Sequence, residues 1–322
     1  MRVLVTGGAG YVGSVVTGVL LNAGHEVVVL DSLVYGGDAL IGFYAQDNFR
    51  FVRADVRDAD SIKLALQGIE AVVHLAAIVG DPACARQPDV ARDVNLRASL
   101  QLFQLSREAG VNRFVFASTC SNYGKMLDPA QPLTETSELR PVSLYAETKV
   151  EVERAILDAA PHGGPAVTIL RLATVFGLSP RMRFDLTVNE FTMELMTKGT
   201  LQVFGEQFWR PYLHVRDAAR MVAHVLGAPV SAVSGQVFNV GDSSQNFQKR
   251  QIVDQICAAL GREVRVEHVH REEDPRDYRV SFEKAASVGF RITRTVQQGI
   301  QEIIDAITQS VITDCDNPKY RD

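Results

Sequence analysis

Tyr145 and Lys149 stand four positions apart in Tyr145-Ala146-Glu147-Thr148-Lys149. On a helix that spacing sets both side chains on one face, about 6 Å apart at Cβ. An ammonium beside a phenol favours the phenolate and lowers a pKa that starts near about 10. On those terms Tyr145 takes a proton from a hydroxyl near neutral pH, as a general base. One helix upstream, the apolar run 114–117 ends in Ser118-Thr119-Cys120-Ser121-Asn122-Tyr123-Gly124, which delivers hydroxyl groups at a strand end. Cys120 reads as a small buried filler rather than a nucleophile. His74 and His214 lie beside apolar runs and read as packing groups.

A second cluster supplies the partner for such a base. Val3-Leu4-Val5-Thr6-Gly7-Gly8-Ala9-Gly10-Tyr11-Val12-Gly13-Ser14 is a strand running into a glycine turn that opens a helix. Gly8, Gly10 and Gly13 satisfy G-x-G-x-x-G, and Gly7, Gly10 and Gly13 satisfy G-x-x-G-x-x-G. Glycine permits the tight turn, the approach of backbone N–H groups to a pyrophosphate and the close packing of helix on strand. The helix N-terminus adds partial positive charge. A second apolar strand, Glu26-Val27-Val28-Val29-Leu30, ends in Asp31, where an acid grips the ribose hydroxyls of an adenosine. A carboxylate there repels a 2′-phosphate, so the expected cofactor is NAD rather than NADP. Its cationic nicotinamide ring would lower the pKa of Tyr145 further.

The elements around these clusters alternate. Strands are expected at 2–5, 26–30, 50–54, 71–75, 113–117 and 166–171, with helices at 11–23, 61–66, 90–108 and 143–159. That order predicts an α/β fold, a doubly wound parallel (Rossmann) sheet with ligands at the carboxyl ends of the strands. From Phe176 onward the pattern becomes irregular. Helices near 185–198 and 248–260 and a strand at 236–240 suggest a smaller substrate-binding lobe built from late segments. The expected division is 1–171 plus 209–241 for the cofactor domain and 172–208 plus 242–322 for the lobe. The tail 314–322 is polar, carries Pro318 and reads as irregular.

Composition excludes several classes. The 322 residues carry a net charge of −5 without a basic run, which argues against a nucleic-acid partner. Cys84, Cys120, Cys257 and Cys315 are widely spaced and read as reduced thiols, not a disulfide frame or metal site. The seven histidines show no ligand spacing, so no metal is expected. No run of about 18 apolar residues could span a membrane. A strand beginning at residue 2 leaves no room for a signal peptide, and the expected compartment is the cytoplasm.

Taken together, these motifs resemble the extended short-chain dehydrogenase/reductases that modify nucleotide sugars, over nearly the full length. The matching pieces are Thr6-Gly7-Gly8-Ala9-Gly10-Tyr11-Val12-Gly13, Asp31, Asp55-Val56, His74-Leu75-Ala76-Ala77, Asn95, Ser118-Thr119 and Tyr145/Lys149. Further on, Arg210-Pro211-Tyr212-Leu213-His214-Val215-Arg216-Asp217 and Phe238-Asn239-Val240-Gly241 match as well. The resemblance implies a catalytic set of Thr119, Tyr145 and Lys149. It implies a cofactor site of Gly7, Gly10, Tyr11, Val12, Gly13, Asp31, Asp55, Val56, Leu75, Ala76, Ala77, Asn95, Ala117, Tyr145, Lys149 and Leu172. In it Asp55 and Val56 hold adenine, and Lys149 also binds the nicotinamide ribose. The implied partner is a nucleoside-diphosphate sugar, and the implied assembly is a homodimer through the helices at 90–108 and 143–159; the apolar Leu96, Leu100, Phe103 and Leu144 fit that interface and equally fit packing on the sheet.

Two departures bear on the substrate. Thr174 stands where the family usually has an Asn before its Val-Tyr-Gly turn, which alters one substrate phosphate contact. The block Ser179-Pro180-Arg181-Met182-Arg183-Phe184-Asp185-Leu186-Thr187-Val188-Asn189, with Asp274-Pro275-Arg276-Asp277-Tyr278, is similar to a subgroup containing nucleotide-heptose 4-dehydrogenases. The expected substrate-binding residues are therefore Thr119, Thr174, Arg181, Arg183, Asn189, Arg210, Arg271 and Arg276, since the planar guanidinium fork suits phosphate. Family 4,6-dehydratases carry an Asp-Glu pair where this chain has Cys120 and Ser121, so dehydration is disfavoured. The expected reaction is NAD-dependent 4-epimerisation. The alternatives are a 4-dehydrogenase that releases the 4-keto sugar and, in another class, an NAD-sensing binding protein without chemistry.

Overall fold

The computed structural model describes residues 1–128, 130–270 and 276–321. Its main sheet takes seven parallel strands among the described residues: β1 (Arg2–Thr6), β2 (Glu26–Asp31), β3 (Phe49–Arg53), β4 (Ala71–His74), β5 (Arg113–Thr119), β6 (Ala166–Leu172) and, from much later in the chain, β10 (Gln236–Val240). Their order is β10-β6-β5-β4-β1-β2-β3, the doubly wound arrangement expected from the alternation. Order reverses between β1 and β4, so a crevice opens at the carboxyl ends of β1, β4 and β5.

These strands are apolar because both faces are covered. On one face, Val3, Val5, Val27 and Val29 pack with Val16 and Leu20 of the Tyr11–Asn22 helix and with Met221 and Val225 of the Val215–Gly227 helix. On the other, Leu4, Val72, Phe114 and Phe116 pack with Ile62, Leu102, Phe103, Val152 and Ile156. Fully burying each such side chain contributes about 1.5–3 kcal/mol, which fixes the strand ends that carry the polar groups.

The helix expected at 90–108 is interrupted. Pro88–Arg92 and Ala98–Glu108 are joined by a π turn over Asp93–Arg97. The extra residue in that turn rotates Asn95 into the interior, where it is fully buried.

Beyond Phe176 the chain is more regular than its sequence suggested. β7 (Thr174–Phe176), β9 (Trp209–His214) and β11 (Asn246–Gln248) form one small sheet, while β8 (Thr200–Phe204) pairs with β12 (Arg265–Val269) in another. Strands of three to six residues, paired across long sequence gaps, carry too little periodicity to be read singly. The helices Thr187–Thr197, Lys249–Leu260 and Val296–Thr308 close a separate core around Phe191, Ile252 and Ile300. The tail docks rather than trailing free: Phe184 donates its N–H to the Tyr320 carbonyl at 2.8 Å, and their rings meet edge to face. No helix among the described residues is long and apolar enough to cross a membrane.

Candidate active site

The turn between β1 and the first helix is shaped by its glycines. Gly7 has φ +73°, and a Cβ there would lie 2.7 Å from the Ala76 nitrogen. A Cβ on Gly13 would fall 2.0 Å from the Gly7 carbonyl oxygen. Gly10 donates its N–H to that same oxygen at 3.1 Å and heads the helix with no side chain capping it. The first-turn N–H groups therefore face the crevice with no helical acceptor. At the tip of β2, Asp31 accepts from the Ala9 N–H at 3.0 Å and the Leu33 N–H at 2.8 Å. Burial raises its pKa, and those two N–H groups oppose the rise. A bare glycine turn, an uncapped helix N-terminus and a carboxylate on the next strand fit a dinucleotide.

Behind this turn runs a directed chain of hydrogen bonds. Ser99 Oγ donates to the Asn95 carbonyl at 2.7 Å, so it accepts from His74 Nε2 at 2.8 Å. Nδ1 is then the acceptor and takes the Thr6 hydroxyl proton at 2.7 Å, and Thr6 Oγ1 accepts the Ala76 N–H at 3.4 Å. That assignment makes His74 a neutral imidazole. Burial, first, and the Lys149 charge, second, hold its pKa down to about 3. Asn95 clamps the loop after β4 by accepting the Ile78 N–H at 2.8 Å and donating to the Ile78 carbonyl at 2.9 Å. Its side chain thus shapes the wall containing the half-buried Leu75, Ala76 and Ala77.

Ser143 caps the Leu144–Ala159 helix, which presents Tyr145 and Lys149 to the end of β5. Lys149 Nζ donates to the Ala117 carbonyl at 2.8 Å, lies 4.6 Å from the centre of the Phe116 ring and 5.9 Å from that of Tyr145. Two residues beyond Ala117, Thr119 Oγ1 accepts the Ser121 N–H at 3.1 Å, and Thr119 lies opposite Leu172 in the β5–β6 register. Thr119, Tyr145, Lys149, Ala117 and Leu172 thus gather at one strand end.

One expectation is corrected here. In the protein alone the phenol of Tyr145 is not lowered: burial pushes its pKa well above the ordinary tyrosine value. Lys149 is itself desolvated, its pKa lowered to about 8, and at Tyr145 desolvation is the largest effect.

The remaining expected residues divide. The Asp55 carboxylate is held by the Arg57 fork at 2.9 and 2.7 Å, which keeps its pKa down, and Val56 is buried. Val12, on the cofactor helix, packs half-buried against the main-sheet core on one side and against the cluster of Met182, Phe184 and Val215 on the other. Tyr11 reaches away from the turn, its hydroxyl meeting Gly177 and Asn189. Asn189 spends its amide inside the protein, accepting the Gly177 N–H at 2.9 Å and donating to Tyr11 Oη and the Arg183 carbonyl. Thr174 lies in β7 opposite Tyr212. Arg183 forms a fork with Asp185 at 2.9 and 2.6 Å, and Arg181 stacks 4.4 Å from the Tyr35 ring. Arg210 is buried beside the Tyr278 ring at 5.5 Å. Arg276 reaches Asp81, on the Asp81–Arg86 helix after β4, at 2.8 Å. Arg271 lies outside the described residues.

Several participants escaped the sequence reading. Asp81 and Asp185 pair two of the expected arginines, and Tyr278 Oη meets Ser121 Oγ at 3.3 Å. Glu153 and Arg171 form a buried pair behind β5. Glu153 was within reach of the helical argument, since it continues the Tyr145-Lys149 face by another four residues.

Comparison with known proteins places the chain in a family and matches its fold. The NAD dependent epimerase/dehydratase family matches residues 3–241. A UDP-glucose 4-epimerase of Corynebacterium glutamicum is 32% identical over 302 residues, 88% of each chain. Among solved structures, a Thermus thermophilus UDP-glucose 4-epimerase in complex with NAD superposes with a TM-score of 0.84 at 28% identity, over 96% of this chain and 100% of that one. A Thermotoga maritima UDP-glucose 4-epimerase with UDP-glucose gives 0.86 at 26% identity, over 97% and 100%.

Proposed function

We propose, from the premise that this chain belongs to the NAD dependent epimerase/dehydratase family, that it is a nucleotide-sugar 4-epimerase. The enzyme is NAD-dependent. The observation that carries the reading is the convergence of Thr119, Tyr145 and Lys149 on the carboxyl end of β5, where Lys149 Nζ meets the Ala117 carbonyl at 2.8 Å. Cys120 and Ser121 beside Thr119 carry no carboxylate for dehydration.

When bound, NAD would supply the acceptor, and then the donor, of the hydride exchanged at C4 of the sugar. The Gly7–Gly13 turn, Asp31 and Lys149 would hold it. Tyr145 takes the C4 hydroxyl proton and later gives it back, with Thr119 orienting that hydroxyl. Burial keeps the phenol protonated in the protein alone, so Tyr145 becomes the base only with positive charge beside it in addition to that of Lys149. Arg210 and Arg276 would anchor the diphosphate while the keto sugar turns, with Arg276 leaving Asp81 to do so. The names of the relatives support a UDP-hexose as the substrate.

The reading also takes the enzyme to be a cytoplasmic homodimer. All four cysteines are free thiols, which suits a reducing compartment. Leu96, Leu100 and Leu144 are only half-buried within one chain, leaving apolar surface for a partner copy, whereas Phe103 is buried against Phe114 at 5.3 Å. Light scattering at micromolar concentration tests the dimer. Incubation with C4-deuterated UDP-galactose tests the reaction. Epimerisation predicts retention of deuterium with inverted configuration, and accumulation of free 4-keto sugar would overturn it.

A further inference from the structure

Immediately behind the reacting pair, a buried carboxylate joins three elements. Glu153 lies four residues after Lys149 on the same helix and is 1% exposed. Arg171, at the end of β6, gives Glu153 a fork at 2.7 and 3.1 Å. Ser118, the residue before Thr119, donates a short hydrogen bond to Glu153 Oε1, and Asn122 donates to the same oxygen at 2.9 Å. Arg171 also reaches Tyr123 Oη at 3.0 Å, and Tyr123 donates to Asn239 of β10 at 2.7 Å. Ser118, Asn122 and Tyr123 flank Thr119 on both sides, so one carboxylate sets where that hydroxyl stands relative to the helix.

We propose that Glu153 is a positioning residue of the reaction: its carboxylate holds the Thr119-bearing end of β5 in register with Tyr145 and Lys149, and supplies the negative charge that accompanies the Lys149 ammonium. The inference rests on the reading of Tyr145 and Lys149 as the reacting pair. A buried pair of this kind is poor evidence of net stability, because desolvation offsets the attraction. Its geometry points instead to register and charge. The other groups facing Lys149 are the Ala117 carbonyl and Phe116 ring from β5, the His74 imidazole from β4, the Cys84 thiol from the Asp81–Arg86 helix and the Tyr145 phenol on its own helix. Glu153, paired with Arg171, is the carboxylate whose charge opposes the desolvation of Lys149. Arg171 neutralises Glu153 from the far side.

The test uses NAD-loaded protein carrying isotopically labelled lysine, with Lys149→Met identifying the Lys149 resonance. In Glu153→Gln the midpoint of that resonance should move to lower pH than in the unaltered protein. Turnover of UDP-galactose should fall about a hundred-fold, as small misplacements of reacting groups do. Glu153→Asp keeps the charge, so its midpoint should return toward the unaltered value while turnover recovers only in part. Should Glu153→Gln fail to fold, the double variant Glu153→Gln/Arg171→Leu removes both charges; the Lys149 midpoint should still move to lower pH, by less than for the single change, and an unmoved midpoint with unchanged turnover overturns the proposal. An unmoved midpoint in a folded Gln variant overturns the proposal. A shifted midpoint in a protein without turnover on UDP-galactose sustains it and counts against the substrate reading instead.

Discussion

The Tyr11 hydroxyl donates to the Gly177 carbonyl at 2.6 Å and accepts from Asn189 at 3.2 Å. The first residue of the cofactor-side helix is thereby tied to the turn after β7, and Ser179 adds a bond to the Tyr11 carbonyl at 2.6 Å. Tyr11→Phe keeps the ring but leaves these buried groups short of a partner. The expected cost is about 1–3 kcal/mol, read as a lower urea midpoint with an unchanged slope. A midpoint equal to that of the unaltered protein would show that the bridge contributes nothing.

Gly13→Ala places a Cβ 2.0 Å from the Gly7 carbonyl oxygen, and a backbone atom cannot swing aside as a side chain can. The turn must open. The variant should purify without NAD and melt below the unaltered protein, as chromatography of the denatured supernatant and a thermal scan will show. Full NAD occupancy would contradict this account of the turn.

Tyr145→Phe deletes the proton acceptor and leaves the turn, Asp31 and Lys149 in place. NAD content should be retained while turnover falls roughly 10²–10⁴-fold, as for other general bases. Lys149→Met should lower both cofactor affinity and rate, because Nζ sits between the Ala117 carbonyl and the Tyr145 ring. Near-normal turnover in Tyr145→Phe would assign the base elsewhere.

His74 titrates near about 3 in the fold, against about 6.5 in an unfolded chain. Between those values the unfolded state binds the extra proton, so this residue makes stability fall as pH drops from about 6.5 toward 3. The slope approaches about 1.4 kcal/mol per pH unit in the middle of that window. His74→Gln keeps a polar group between Thr6 and Ser99 and removes the titration. Urea unfolding of both proteins at several pH values should give a flatter acid limb for the variant, and parallel limbs would refute the assignment.

Local chemistry is what a sequence states directly. The glycine spacing, Asp31 at a strand end, and Tyr145 with Lys149 on one helix turn are all set by neighbours in the chain, and the order of the first six strands follows from their alternation with helices. What lay beyond reach depends on residues brought together from far apart. Which strand β10 pairs with, β6 from more than sixty positions upstream, is one such contact. β7 and β11, of three residues each, are too short to announce themselves. The pairing of Arg276 with Asp81 and of Arg171 with Glu153 could not be foreseen from charge alone.

Proton affinity was the other quantity the tertiary structure decided. Spacing put an ammonium near a phenol, and that alone argues for a lowered tyrosine pKa. Packing buried Lys149 and half-buried Tyr145, and the desolvation raised the phenol and lowered the ammonium. The reason is that Coulomb attraction along a helix face is a local term, whereas desolvation is imposed by every element that closes over the site. Residue types and their spacing therefore determined which groups are present and on which element. The assembled fold alone determined how much water they lose and which carboxylates face them.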